Sequence, residues 1–231
     1  MPVLTPFGPG IMLADGGCVS TAGFRYPTRM TVIQLRDGGL FIWSPVALTP
    51  AMRAEVDALG EVRFLIAPNS LHHLWLGEWH AAYPAAQVFA APGVSAKRTD
   101  VTITAEFGTA PVTAWDGEID HVIVGGNLIT TEVVFFHRAS ATVVFTDLLQ
   151  QFPKGWHRGW RAIVARLDLM VEAEPSVPRK FRMAFTDRRA AREAIGRILD
   201  WPAERVVMAH GTPVPQDGQA LMQRAFGWLM R

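Results

Sequence analysis

A chain of 231 residues with 49% hydrophobic and 19% charged side chains carries too much apolar material for disorder and is long enough to bury one large core. Its 22 Lys+Arg against 21 Asp+Glu leave a formal net charge of +1, so no global field favours nucleic acid or an anionic membrane. The single cysteine, Cys18, rules out an internal disulfide and a cysteine-built zinc or iron–sulfur centre, which leaves histidine and carboxylate as the ligands of any metal. No apolar run approaches the roughly 20 residues that span a bilayer. The first ten residues lack the basic-then-apolar order of a signal peptide. A cytoplasmic protein with one domain over residues 1–231 is the expectation.

In chain order, Thr31 to Trp43 reads as two β-rich runs around Asp37-Gly38-Gly39, a hairpin turn. Thr49 to Leu59 has an N-cap threonine, a proline at the first helical position and apolar residues at helical spacing, and it stops at Gly60. Val62 to Ala67 is a buried strand closed by Pro68-Asn69. The pattern then predicts a helix over Leu71 to Ala82 and a short strand at Gln87 to Ala90. His121 to Val124, Thr131 to Phe136 and Thr142 to Phe145 are rich in valine, threonine and phenylalanine, as expected of sheet interior. Helical spacing returns over Trp156 to Met170 and Asp187 to Leu199. A strand follows at Arg205 to Met208, then the His210-Gly211 turn, where glycine is expected to supply a positive φ, and a last helix from Gln219 to Met230. The chain is α/β, with strands in both halves.

Of seven histidines, His72, His73, His137 and His210 lie where a strand has just ended or a helix is starting, which is where α/β folds collect ligands and catalytic groups. Asp147 leaves an apolar strand in the same way, and a carboxylate there needs a positive partner or a cap. Each is a weak signal alone. Asp147 can cap a turn, His72-His73 can be two helix residues facing different ways, and His210 can bond backbone.

Taken together, FLIAPNSLHH at Phe64 to His73, VVFTDLL at Val143 to Leu149 and VVMAHGTPV at Val206 to Val214 resemble the ligand-bearing turns of the metallo-β-lactamase superfamily. PNSLHHLWLGEWHAAYP at Pro68 to Pro84, with APG at Ala91 to Gly93, resembles the DUF4336 family, a divergent branch of it. The resemblance spans most of residues 31 to 215. It implies an αββα four-layer sandwich of mixed sheets flanked by helices, with His72, His73, Asp147 and His210 as metal ligands. Setting His72-His73 against the last two residues of the superfamily's His-x-His-x-Asp-His motif puts Pro68 and Ser70 where its first two histidines belong. The middle turn, near Gly126-Asn127-Leu128, also lacks a histidine. The first metal site is therefore expected to be lost and the second kept.

The resemblance implies one divalent ion, zinc with iron or manganese as alternatives, and a single-metal hydrolase acting on an unidentified small molecule. The other reading is a non-catalytic member of the fold that binds metal or a small ligand. Four protein ligands would close a zinc tetrahedron and argue against hydrolysis. Catalysis survives if one of them, His72 first, stands aside, or if the ion takes six ligands. No catalytic side chain is assigned. His137 is a satisfied sheet histidine, or else it bonds a metal ligand from behind or serves as a general acid. Trp156 and Arg161, in the basic aromatic stretch KGWHRGWR, are expected to border the pocket rather than a membrane, so that the protein fails to co-sediment with anionic vesicles. No nucleic-acid partner is expected.

Overall fold

The computed structural model describes residues 3–231. Two sheets stack face to face. The first has seven strands in sequential order: β1 (Thr5–Gly8), β2 (Ile11–Thr21), β3 (Phe24–Gln34), β4 (Leu40–Trp43), β5 (Val62–Ala67), β6 (Gln87–Ala90) and β7 (Ala105–Glu106). Its first half is antiparallel, and it turns parallel from β4 onward. The second sheet is ordered β11-β10-β9-β8, from β8 (Ile119–Val124), β9 (Glu132–His137), β10 (Thr142–Gln150) and β11 (Arg205–His210). There β10 and β11 are parallel and the other pairs antiparallel.

Strand periodicity shows how the layers stack. Val133, Phe135, Val144, Val207 and Ala209 join the first sheet's core. Their alternates Val134, Phe136, Val143, Val206 and Met208 join a second core with the last helices. The second sheet is thus apolar on both faces, with the first sheet on one side and helices on the other. The helices are α1 (Pro50–Leu59), α2 (Leu76–Ala82), α3 (Trp160–Leu167), α4 (Arg179–Ala184), α5 (Arg188–Leu199) and α6 (Gly218–Met230). Met52, Val56, Leu76 and Trp79 from α1 and α2 pack on the first sheet, and α5 and α6 cover the second. This is the αββα sandwich. Trp115 sits in its middle, with Phe41, Phe64 and Phe89 ring centroids 4.8–5.0 Å away.

The hairpin is present, with Thr31 opposite Trp43 and Gly38 at φ 86°. Thr49 caps α1 by accepting from the Met52 N–H. Four expectations need correction. β3 starts at Phe24 and pairs with a long β2, a region whose mixed burial hides the strand pattern. α2 begins at Leu76, because Asn69 folds residues 71–75 into a turn. α3 is confined to Trp160–Leu167 by Gly155 and Gly159, both at positive φ. Gly211 is not among the positive-φ glycines; a Cβ there would meet Met208 Sδ at 2.7 Å and the Gln151 backbone at 3.1 Å, so close approach demands it.

His137 closes β9 beside the end of β10 remote from Asp147, opposite Thr142 and Ile119, and its Nδ1 bonds Ser140 Oγ at 2.7 Å. It is a satisfied sheet histidine. Burial pushes its pKa down to about 4 from the usual 6.5. The unfolded chain therefore binds the extra proton between these values, so the stability His137 contributes is complete above pH 6.5 and is lost as pH falls toward 4. The loss amounts to about 3 kcal/mol at most. His137→Gln is expected to flatten the pH dependence of urea unfolding in that window and leave it unchanged above pH 7.

Candidate metal centre

The site lies where the two sheets meet. β5 delivers the chain to Asn69, whose backbone bridges to Glu132 at the start of β9, while the Val133 N–H donates to the Pro68 carbonyl. Asn69 is fully buried and uses its whole amide. Oδ1 accepts from the Leu71 and His72 N–H groups at 2.9 and 2.8 Å, and Nδ2 donates to Thr146 Oγ1 and Asp147 Oδ2 at 2.9 and 2.8 Å. One side chain thereby sets both the His72 turn and the Asp147 carboxylate.

Asp147 lies where β10 leaves its neighbours. Pairing with β9 stops at Val144, and the register with β11 shifts between Phe145 and Gln150. The three N–H groups freed there, on Thr146, Asp147 and Leu148, donate to the Glu132 carboxylate at 2.7, 2.9 and 3.0 Å. Burial, and after it the charge of Asp147, pushes the Glu132 carboxyl up to about 7 against these donors.

His72, Asp147 and His210 converge, each offering one ligand atom, and those atoms all lie within 4.8 Å of one another. His72 Nε2 is 3.3 Å from Asp147 Oδ2, and His210 Nε2 is 3.4 Å from Oδ1. Gln150 Nε2 also donates to Oδ1, at 3.3 Å. Burial would raise the Asp147 pKa, but the two imidazoles outweigh it, His72 foremost, and hold the carboxyl well below the usual carboxylate range. The imidazoles are fixed from behind. His210 Nδ1 donates to the Pro27 carbonyl at 2.6 Å, and His72 Nδ1 bonds Ser44 Oγ at 2.9 Å. In neutral His210 the Nε2 lone pair then faces a carboxylate, an arrangement of two acceptors that a cation between them resolves. The donor set fits a divalent ion.

His73 is not brought into this group. It faces Arg98, with Nη1 3.3 Å from its Nδ1. Burial and then the charges of Arg98 and Lys97 hold its pKa down. The four-ligand expectation thus becomes three converging side chains, and the histidine that stands aside is His73 rather than His72. At positions where the resemblance places first-site ligands, Ser70 Oγ pairs with Thr130 Oγ1 at 3.2 Å, and Asn127 is spent on the Phe181 carbonyl and the Ile129 N–H. Asn69 and Glu132 were not singled out from the sequence; the signal available was a lone acid opening an otherwise apolar strand, TEVVFFH.

A cavity of about 600 Å³ opens beside the three residues. The β2–β3 hairpin, the 71–75 turn, Ile129, Val164 and Phe181 wall it. Trp156 and Arg161 are not in its lining; the Trp156 indole donates to the Arg25 carbonyl, and Arg161 lies over the Trp160 ring. No residue of the basic aromatic stretch lines the cavity; Val164, further along α3, does.

The fold and this site define a protein of the metallo-β-lactamase fold. Solved structures of similar fold include a metallo-β-lactamase from Pontibacter korlensis (TM-score 0.64, 14% identity, 99% of this chain and 98% of that one). Another is a metallo-β-lactamase from Hirschia baltica (0.62, 13%, 99% and 97%). A third is the Flv1 flavodiiron core from Synechocystis sp. PCC6803 (0.65, 10%, 98% and 60%). The chain belongs to the family described as "Domain of unknown function (DUF4336)", whose model matches residues 20–158. No curated protein matches it.

Glu132→Gln is expected to destabilise the protein by roughly 3 kcal/mol, since it removes the buried charge that three N–H groups share and sets an amide NH₂ against them. Urea unfolding measures it. A change under about 0.5 kcal/mol would contradict the role given to Glu132.

Proposed function

We propose that the protein is a hydrolase working with one divalent metal ion held by His72, Asp147 and His210. The observation that carries this reading is the convergence of three ligand atoms beside a cavity of substrate size, with His73 against Arg98 instead. Two imidazoles and one carboxylate match catalytic zinc sites, which keep a position open, and the same donors suit iron or manganese. When bound, such an ion supplies Lewis acidity toward water or a carbonyl oxygen. The chain supplies orientation. Ser44 and the Pro27 carbonyl fix the two rings, Asn69 and Gln150 donate to Asp147, and the apolar walls keep bulk water from a bound substrate. The replaced first-site positions support one ion rather than two. No helix among the described residues is long and apolar enough to cross a membrane, and we assign the protein to the cytoplasm, where an exposed unpaired thiol such as Cys18 persists.

A non-catalytic reading draws on the same contacts, because two protonated imidazoles would pair with Asp147 and tie β10 and β11 to the His72 turn without an ion. Elemental analysis of protein purified without added metal separates the two. At most one ion per chain is expected. His72→Ala, Asp147→Ala and His210→Ala should each remove it, whereas His73→Ala and Ser70→Ala should retain it. Two ions at full occupancy would overturn the single-site reading, and no ion under any loading condition would favour the non-catalytic one.

A further inference from the structure

The cavity mouth is apolar far beyond what a small polar substrate needs. Of the eleven exposed large apolar side chains among the described residues, Leu71, Leu74, Ile129 and Val164 line the cavity itself. On α3, Trp160, Ile163, Val164 and Leu167 stand at i, i+3, i+4 and i+7, so they share one face, and they are 56%, 63%, 41% and 60% exposed. Leu128 adjoins Ile129, which lines the cavity. Exposed apolar residues gathered around one opening mark a binding surface.

The charges lining the cavity are already spent within the protein. Lys180 Nζ lies 3.2 Å from Asp168 Oδ2 and 3.2 Å from the Tyr26 hydroxyl, and Asp147 faces the two imidazoles. Among the described side chains that line the cavity, no unpaired cation is left to receive a carboxylate or phosphate. A second copy of the chain fits the rim poorly. Residues 150–167 carry Lys154, Arg158, Arg161 and Arg166 and no acid, and a two-fold contact would set these cations against their own copies.

We propose that the cavity binds a neutral acyl amphiphile, such as a medium-chain ester, with its apolar chain along Ile129, Val164 and the β2–β3 hairpin and its polar end toward His72, Asp147 and His210. The placement of the polar end rests on the proposed hydrolase reading; the binding of the chain does not. A volume of about 600 Å³ lies within the roughly 300 to 1,000 Å³ of ligand pockets.

The test uses metal-free protein, so that failure of metal binding and failure of this inference are read separately. Nile red should bind saturably, and monodecanoylglycerol should displace it, while glycerol should not and decanoate should do so about tenfold more weakly. Val164→Asp and Ile129→Asp, both at partly exposed positions that tolerate a charge, should each weaken displacement by about tenfold. Met230→Asp, at an exposed apolar residue outside this rim, should leave it unchanged. Co-sedimentation with phosphatidylcholine–phosphatidylglycerol vesicles identifies the source. Pelleting that Leu167→Asp abolishes means that the amphiphile is drawn from a bilayer, and displacement without pelleting means that it is taken from solution; either supports the proposal. Displacement unaffected by both cavity variants, decanoate equal to the ester, or no displacement together with a dimer that Leu167→Asp dissociates would each overturn it.

Discussion

The Glu132 carboxylate stands in for a strand, and the site depends on that substitution. Beyond Val144, β10 has left β9, and three consecutive N–H groups would otherwise be buried without acceptors, at a cost of about 1 to 3 kcal/mol each. Because one carboxylate takes all three, β10 keeps its bulge and turns Asp147 toward the gap between the sheets. A peptide partner would have kept the ladder regular and fixed Asp147 on a strand face. The buried Glu132 carboxyl is held by N–H donors rather than by a side-chain cation, so the two imidazoles nearby remain available to Asp147.

Pairing from the opposite edge completes the geometry. Arg29 on β3 donates to the Asp15 carboxylate and to the Met208 and Gly211 carbonyls, which pins the end of β11 to the first sheet, and the Pro27 carbonyl on the same strand takes the His210 Nδ1–H. Gly211 lets the chain pass Gln151 closely enough for this turn to form. His210 is thus positioned by β3, Asp147 by β9 through Glu132, and His72 by the turn after β5 through Asn69. Three sequence-distant supports, each with satisfied hydrogen bonds, hold three ligand atoms together without any of the three residues sharing an element with another.

The sequence made the fold legible wherever one kind of burial ran the length of an element. β4, β5, β9, β10 and β11 are nearly continuous apolar runs, and strands buried on both faces have that pattern. β2 escaped because its outer half is exposed and interrupted by Gly16 and Gly17, so neither alternation nor a run survives. In α3 the helical spacing was readable but its direction was not, since Trp160, Ile163 and Leu167 have the periodicity of a core face and lie in solvent. The site was legible as residue types at strand ends. Which of two adjacent histidines turns inward was not, because Asn69 decides it by accepting the His72 N–H, and an asparagine after a strand carries no periodic signal.

The same logic holds for the polar residues around the site. Chain ends at a sheet edge present N–H and C=O groups that need polar partners whether or not a metal is near. Ser70 with Thr130, and Asn69 with Thr146, supply those partners here with hydroxyls and an amide. The inter-sheet aromatic core of Phe41, Trp115 and Phe135 includes none of these residues, so it does not dictate which polar groups stand there. Fold and ligand set are therefore free to vary separately, and the fold alone does not define the chemistry. Once the backbone is satisfied, the edge presents two imidazole nitrogens and one carboxylate facing one another, with an apolar cavity beside them.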